Sequence, residues 1–81
     1  YDRAIQIDPN YANAYINRGI AYYRQGNYKE AIANYNKAIE LASGNANAYN
    51  NRALAYTRLG NKQAAQADKR KAAILSQRQS Q

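Results

Sequence analysis

The chain repeats itself after 34 residues, and this internal repeat limits its fold more than any other feature. When residues 12–45 (the first unit) are placed over residues 46–79 (the second unit), 16 of the 34 pairs are identical. The opening segment continues the register, because Tyr1, Ala4 and Ile5 are identical to the residues 34 positions later. A period of about 20–50 residues is typical of solenoids, in which small supersecondary units stack on one another.

Each unit has the pattern of two helices. Tyr15, Gly19 and Tyr22 fall within about 60° of one another at 100° per residue, which is one narrow face of a helix. The same reasoning applied along the chain predicts helices at about residues 2–7, 12–25, 28–42, 46–59 and 62–77.

Glycine and asparagine mark the turn inside each unit. Gly26 predicts a left-handed helix stop. Asn27 is placed to cap the next helix, with Glu30 three residues later completing a pair that is similar to a capping box. Gly60 and Asn61 repeat the stop and the cap in the second unit.

Composition alone would favour disorder, since the chain has only four Leu and seven Ile, lacks Val and Phe, and has a net charge of +7. The 17 Ala and nine Tyr provide another way to build a core. Each tyrosine could instead stack on a ligand, but the periodic positions favour packing. We expect tyrosine knobs to insert between small residues, with Tyr15, Tyr22 and Tyr35 as knobs and Gly19, Ala31 and Ala38 as holes.

A 34-residue helix-turn-helix unit with this spacing of aromatic and small residues resembles a tetratricopeptide repeat. The first unit has the pattern Tyr15, Arg18, Gly19, Tyr22, Ala31, Tyr35, Ala38, and the second has Tyr49, Arg52, Ala53, Tyr56, Ala65, Ala72. Asp8-Pro9-Asn10 resembles the family's turn between repeats. The resemblance implies an all-α, helix-turn-helix solenoid. Residues 1–11 would be the end of a preceding repeat, residues 12–45 one repeat, and residues 46–81 a repeat with an extended polar capping helix.

Two positions depart from the family pattern in both units. Arg18 and Arg52 stand where the family usually has leucine. Arginine can lay its aliphatic stem over an apolar surface and keep its guanidinium in water. We therefore expect both arginines to lie at the periphery.

The two ends of the repeat array also differ from a regular unit. Ile32, Tyr35 and Ile39 of the first unit become Gln66, Lys69 and Ala73 in the second, so residues 62–78 are expected to form the polar C-terminal end of the array. Tyr1 falls in the middle of a second helix, which predicts a fragment of a longer protein. The N-terminal face of the array would then lack a partner helix, which predicts that the chain self-associates.

The residue content argues against catalysis and metal binding. There is no Cys and no His, and no two of the five carboxylates lie three or four positions apart. No phosphate-binding glycine loop or nucleophile–base pair is present, so we expect neither an enzyme nor a cofactor. No apolar run approaches the roughly 20 residues of a membrane span. With no signal-like segment, a cytoplasmic location is expected.

The resemblance implies a protein-interaction scaffold that binds a peptide in a concave groove lined by the first helix of each unit. Asparagines at its N-terminal end would pair with the peptide backbone, or would merely hydrate the groove. Arg24 and Arg58 would bind carboxylates or phosphates, or would be ordinary solvated arginines. The predicted groove residues are Asn13, Ile16, Asn17, Ile20, Tyr23 and Arg24, and in the second unit Asn47, Asn50, Asn51, Leu54 and Arg58.

Positive charge is concentrated in the second half of the chain. Residues 1–45 carry five Lys/Arg and four Asp/Glu, whereas residues 46–81 carry seven Lys/Arg and one Asp. This asymmetry favours an acidic partner, although a solvated domain end would look the same. Nucleic-acid binding and end-to-end structural stacking are the alternatives. The predicted basic surface comprises Lys62, Lys69, Arg70, Lys71 and Arg78.

Overall fold

The computed structural model describes the backbone of residues 9–80 and the side chains of residues 11–77. This part of the chain forms four helices and contains no strand. The helices are α1 (Pro9–Arg24), α2 (Tyr28–Leu41), α3 (Ala46–Arg58) and α4 (Lys62–Ser80). Each helix packs against the next along the chain, and α1 also contacts α3. The predicted all-α helix-turn-helix solenoid is confirmed; the helix predicted at about 2–7 lies outside the described residues.

The turns inside the units follow the predicted glycine stops. Gly26 and Gly60 have φ angles of +85° and +84°, which glycine adopts without strain. Asn61 caps α4, because its Oδ1 accepts a hydrogen bond from the Ala64 N–H at 3.2 Å. The predicted side-chain cap of α2 is wrong: Asn27 makes no cap hydrogen bond. Its amide donates instead to Gln25 Oε1 at 3.4 Å, so the backbone turn alone positions α2.

The start of α1 differs from the prediction. The helix begins at Pro9, whereas the pattern predicted a start at about residue 12. Proline suits the first turn of a helix because its missing N–H would have no helical partner there. Pro9 and Asn10 are therefore helical and do not form the predicted turn, while Asp8 lies outside the described residues.

The core of the first unit forms where the ring of Tyr35 meets Gly19. Tyr35 is 1% exposed, and Ala31 and Ala38 on the same helix are completely buried. A Cβ atom at Gly19 would lie 2.5 Å from Tyr35 Cε1, so glycine is required for this approach. The tyrosine-into-glycine packing predicted from the sequence is present. Tyr15 and Tyr22, also predicted as core knobs, stay half-buried.

Alanines of α3 complete the same core. Ala48 and Ala55 are both fully buried and belong to the cluster that contains Tyr35. Small side chains at these positions let α3 approach α2 closely. This contact joins the second unit to the first.

The second unit closes its helix pair with an ion pair. Arg52 donates two hydrogen bonds to Asp68, from Nε to Oδ2 at 2.8 Å and from Nη2 to Oδ1 at 2.6 Å. Its Nη1 also donates to Asn36 Oδ1 of α2 at 2.8 Å. The prediction that Arg52 keeps its guanidinium in water is therefore wrong, since a carboxylate on α4 holds it. The matching prediction for Arg18 is confirmed, because Arg18 is exposed.

Candidate functional site

A pocket of about 220 Å³ opens where α1 and α3 lie side by side. We call it the groove pocket. It combines residues from both units with one from α2, so neither unit forms it alone. Its lining residues are Ile20, Tyr23, Arg24, Tyr35, Asn51 and Leu54.

The walls of the groove pocket are apolar and open to solvent. Leu54 is 49% exposed, and Ile20 and Tyr23 are half-buried. Tyr35 is buried and forms the floor. A ligand side chain placed here would remove apolar surface from water on several sides, and each Å² removed is worth about 25 cal/mol.

Polar groups stand at the edges of the groove pocket. Asn51 is half-buried on α3 and can offer both a donor and an acceptor. Arg24 lines the pocket from the last turn of α1 and is exposed. Both are in place to contact a ligand that fills the apolar centre.

A second arginine is fixed beside the pocket by tyrosine. Arg58 Nε donates a hydrogen bond to the Tyr23 hydroxyl oxygen at 3.0 Å. The Tyr23 ring in turn meets Tyr28 edge to face, with ring centroids 5.2 Å apart. The hydrogen bond from Arg58 to Tyr23 raises the pKa of Arg58 above its ordinary value, so the group stays cationic. Arg58 is exposed, and among the described residues it makes no other side-chain hydrogen bond.

Five of the predicted groove residues line the pocket, namely Ile20, Tyr23, Arg24, Asn51 and Leu54. Arg58 adjoins it through Tyr23. Asn13, Asn17, Asn47 and Asn50 are exposed on the same two helices but do not line it. Of the register pair Asn17 and Asn51, only Asn51 reaches the pocket.

Ile16 was predicted to face the groove, and this placement is wrong. It is 5% exposed and belongs to the core cluster of the first unit. Ile16 lies one turn after Ala12 and one turn before Gly19, and both neighbours are buried. The buried face of α1 is therefore wider than the spacing of Tyr15, Gly19 and Tyr22 indicated.

Four of the predicted basic residues of α4, namely Lys62, Lys69, Arg70 and Lys71, are exposed but do not all lie on one side of the helix. At 100° per residue, Lys71 is about 200° around the helix from Lys69. Lys62 and Lys69 line a second pocket of about 230 Å³ with Thr57, Ala65 and Gln66. Arg70 and Lys71 lie outside this pocket, and the side chain of Arg78 is not among those described. The cations therefore form no single stripe.

None of the helices in the described part of the chain combines the length and the apolar character needed to cross a membrane. No group of three or more metal-ligating side chains comes together among the described residues.

Comparison with known families gives matches over nearly the whole chain. A family described as TPR repeat matches residues 1–26 and 21–60, and one described as Tetratricopeptide repeat matches residues 46–77. A search of curated proteins gives no match.

Proposed function

The chain belongs to the tetratricopeptide repeat family, and from this premise we propose that it binds an extended, acidic peptide segment in the groove between α1 and α3. Repeats of this family generally mediate protein–protein interaction and are typically scaffolds without enzymatic activity. The groove pocket is the observation that supports the more specific proposal.

The composition of the groove pocket supports a peptide with an apolar anchor. Leu54 and Ile20 present aliphatic surface, and Tyr23 adds an aromatic edge. An aliphatic or aromatic side chain of the partner would enter between them. Asn51 would then pair with the partner's backbone, since an amide matches both the N–H and the C=O of an extended chain.

The charges around the groove pocket support an acidic partner. Arg24 lines the pocket and Arg58 is held next to it by Tyr23. A guanidinium can bind a carboxylate through two parallel hydrogen bonds. Among the described residues, no carboxylate lines the pocket to compete for them.

The test begins with peptides selected from a random displayed library on the whole 81-residue chain. Affinity of the selected peptides is measured by fluorescence anisotropy. We expect acidic sequences with one large apolar residue, and we expect Leu54→Asp to weaken binding by at least tenfold. Ile74→Asp is the matched control, because Ile74 is 47% exposed on α4, away from the pocket. Equal weakening by both variants would exclude the groove.

A second pair of variants tests the charge preference and the asparagines. Arg24→Glu should weaken binding of the acidic peptides, whereas Lys71→Glu, with the same change in charge, should not. The double substitution Asn17→Ala and Asn51→Ala should weaken binding by about tenfold, near the value of one net hydrogen bond. Unchanged affinity in a double variant with native circular dichroism would remove the asparagines from the proposal.

A further inference from the structure

The pocket on the second unit repeats, in register, the surface on which α3 docks in the first. We call its lining residues, Thr57, Lys62, Ala65, Gln66 and Lys69, together with Arg70 beside them, the open face. Each stands 34 positions after a residue of the first unit, in order Tyr23, Tyr28, Ala31, Ile32, Tyr35 and Asn36.

In the first unit, helix α3 packs against these positions. Tyr35 packs in one core cluster with Ala48 and Ala55 of α3. Two arginines of α3 reach the same surface, because Arg58 donates to Tyr23 and Arg52 donates to Asn36. These positions therefore form a face on which a helix docks. The docked helix directs toward this face the side chains at the positions of Arg52 and Arg58.

The chemistry of this face changes in the second unit. Tyr28, Tyr35 and Asn36 are replaced by Lys62, Lys69 and Arg70. All three cations are exposed. Asp68 is the only acid on α3 or α4, and it is already bonded twice to Arg52. The open face is therefore cationic and has no carboxylate of its own to neutralise it.

A second copy of the chain fits this face poorly. The helix that would dock is α1, the counterpart of α3, whose Ala14 and Ala21 are exposed. Docking in register would place Arg18 against Arg70. It would also place Arg24 against Thr57, next to Lys62, because Tyr23 and Tyr28 adjoin each other in the first unit. Like charges brought together at an interface repel each other, so self-stacking is opposed.

We infer that the open face binds an acidic helix of a partner protein. Its contact side would carry small residues at the positions of Ala48 and Ala55, which allow close approach. It would carry Glu or Asp at the position of Arg52, opposite Arg70, and at the position of Arg58, next to Lys62. This site is separate from the groove pocket and does not depend on peptide binding there.

The probe is a peptide of residues 45–61, stapled between positions 50 and 54 to hold the helix, with the substitutions R52E and R58E. The control peptide has the same staple and the natural arginines. Binding to the whole chain is followed by fluorescence anisotropy. We expect the acidic peptide to bind at least tenfold more tightly than the control peptide. Equal or tighter binding of the arginine peptide would overturn the inference.

Protein variants locate the site. K62E with R70E should weaken binding of the acidic peptide by at least tenfold. K29E with K71E makes the same change in net charge away from the open face and should alter affinity less than twofold. Equal losses in the two variants would show non-specific attraction and would overturn the inference.

Two further results separate this site from the other candidates. Leu54→Asp, which disrupts the groove pocket, should leave binding of the acidic helix unchanged, so failure of one proposal does not imply failure of the other. Sedimentation of the chain alone should give the same degree of association for the natural chain and for the K62E, R70E variant. Association through this face would identify a second copy as the occupant and overturn the inference.

Discussion

In the first unit the ring of Tyr35 fills the space between α1 and α2, whereas in the second unit an ion pair of Arg52 and Asp68 joins α3 to α4. The two units share their 34-residue frame and much of their sequence. At the position of Tyr35 the second unit has Lys69, which is exposed. The aromatic knob is lost, and α3 and α4 are joined instead by the Arg52–Asp68 hydrogen bonds and by a small apolar cluster of Ala46, Ala72 and Leu75.

The two arginines show why the same residue behaves differently in the two units. Arg18 is exposed and lies over the Tyr22 ring at 5.8 Å from its centroid. The side chain facing it in register is Asn34, whose amide donates to the Glu30 carbonyl oxygen at 2.8 Å. Arg52 faces Asp68 and is bound by both carboxylate oxygens. The facing residue, and not the arginine, decides whether the arginine is held by a carboxylate.

The largest effect should come from removing the aromatic knob. Tyr35→Ala deletes the most deeply buried large side chain of the described residues and leaves a cavity, so we expect a loss of about 4 kcal/mol in the free energy of unfolding. Urea denaturation followed by circular dichroism measures it. Lys69→Ala, the same position in the second unit, should change stability by less than about 0.5 kcal/mol. Similar losses at both positions would contradict the comparison.

Breaking the Arg52–Asp68 ion pair should have the next largest effect on stability. Arg52→Ala leaves the Asp68 carboxylate, 6% exposed, without its partner, and we expect a loss of about 3 kcal/mol. Arg18→Ala should cost far less, because Arg18 holds no carboxylate among the described residues. The double variant Arg52→Met, Asp68→Leu should recover much of the loss, since well-packed apolar residues can replace a buried pair. No recovery would mean that the third bond, to Asn36, dominates.

Periodicity predicted the parts of this fold that depend on local geometry. The four described helices and the glycine stops at Gly26 and Gly60 follow from spacing and backbone freedom along one segment. So does the approach of Tyr35 to Gly19, because the unit repeats a known arrangement of large and small residues. The ion pair was missed because it joins two helices, and identical arginines in both units suggested identical surroundings. The one signal was Asp68, the single acid of the second half.

The sequence also predicted part of the candidate site. The register placed Ile20, Tyr23 and Leu54 on helices that the solenoid brings together. It could not show that Ile16 turns into the core, since one step of 100° separates a groove residue from a buried one. It also could not show that the Tyr23 hydroxyl holds Arg58, because that contact spans 35 residues.

A smaller effect is expected from filling the space beside the knob. Gly19→Ala puts a methyl group against the Tyr35 ring, and overpacking should outweigh the gain in helix propensity for a net loss of about 1 kcal/mol. In a Tyr35→Leu background the same substitution should become neutral or stabilising, because the ring is gone. A double-mutant cycle by urea denaturation measures this coupling. Strict additivity would show that Gly19 and Tyr35 do not constrain each other.

The smallest expected effect is a pH dependence of stability, which arises from Tyr35 in the first unit. Burial, followed by the neighbouring Tyr23, raises the pKa of Tyr35 above its ordinary value of 10.0. The folded chain therefore keeps this proton to higher pH than the unfolded chain does. The stability that results is fully present below pH 10 and is lost as the pH rises through the folded-state pKa. Tyr35→Phe keeps the ring but removes the ionisable hydroxyl, so above pH 10 its free energy of unfolding should fall less steeply than that of the natural chain. Parallel curves would mean that the hydroxyl ionises equally in both states.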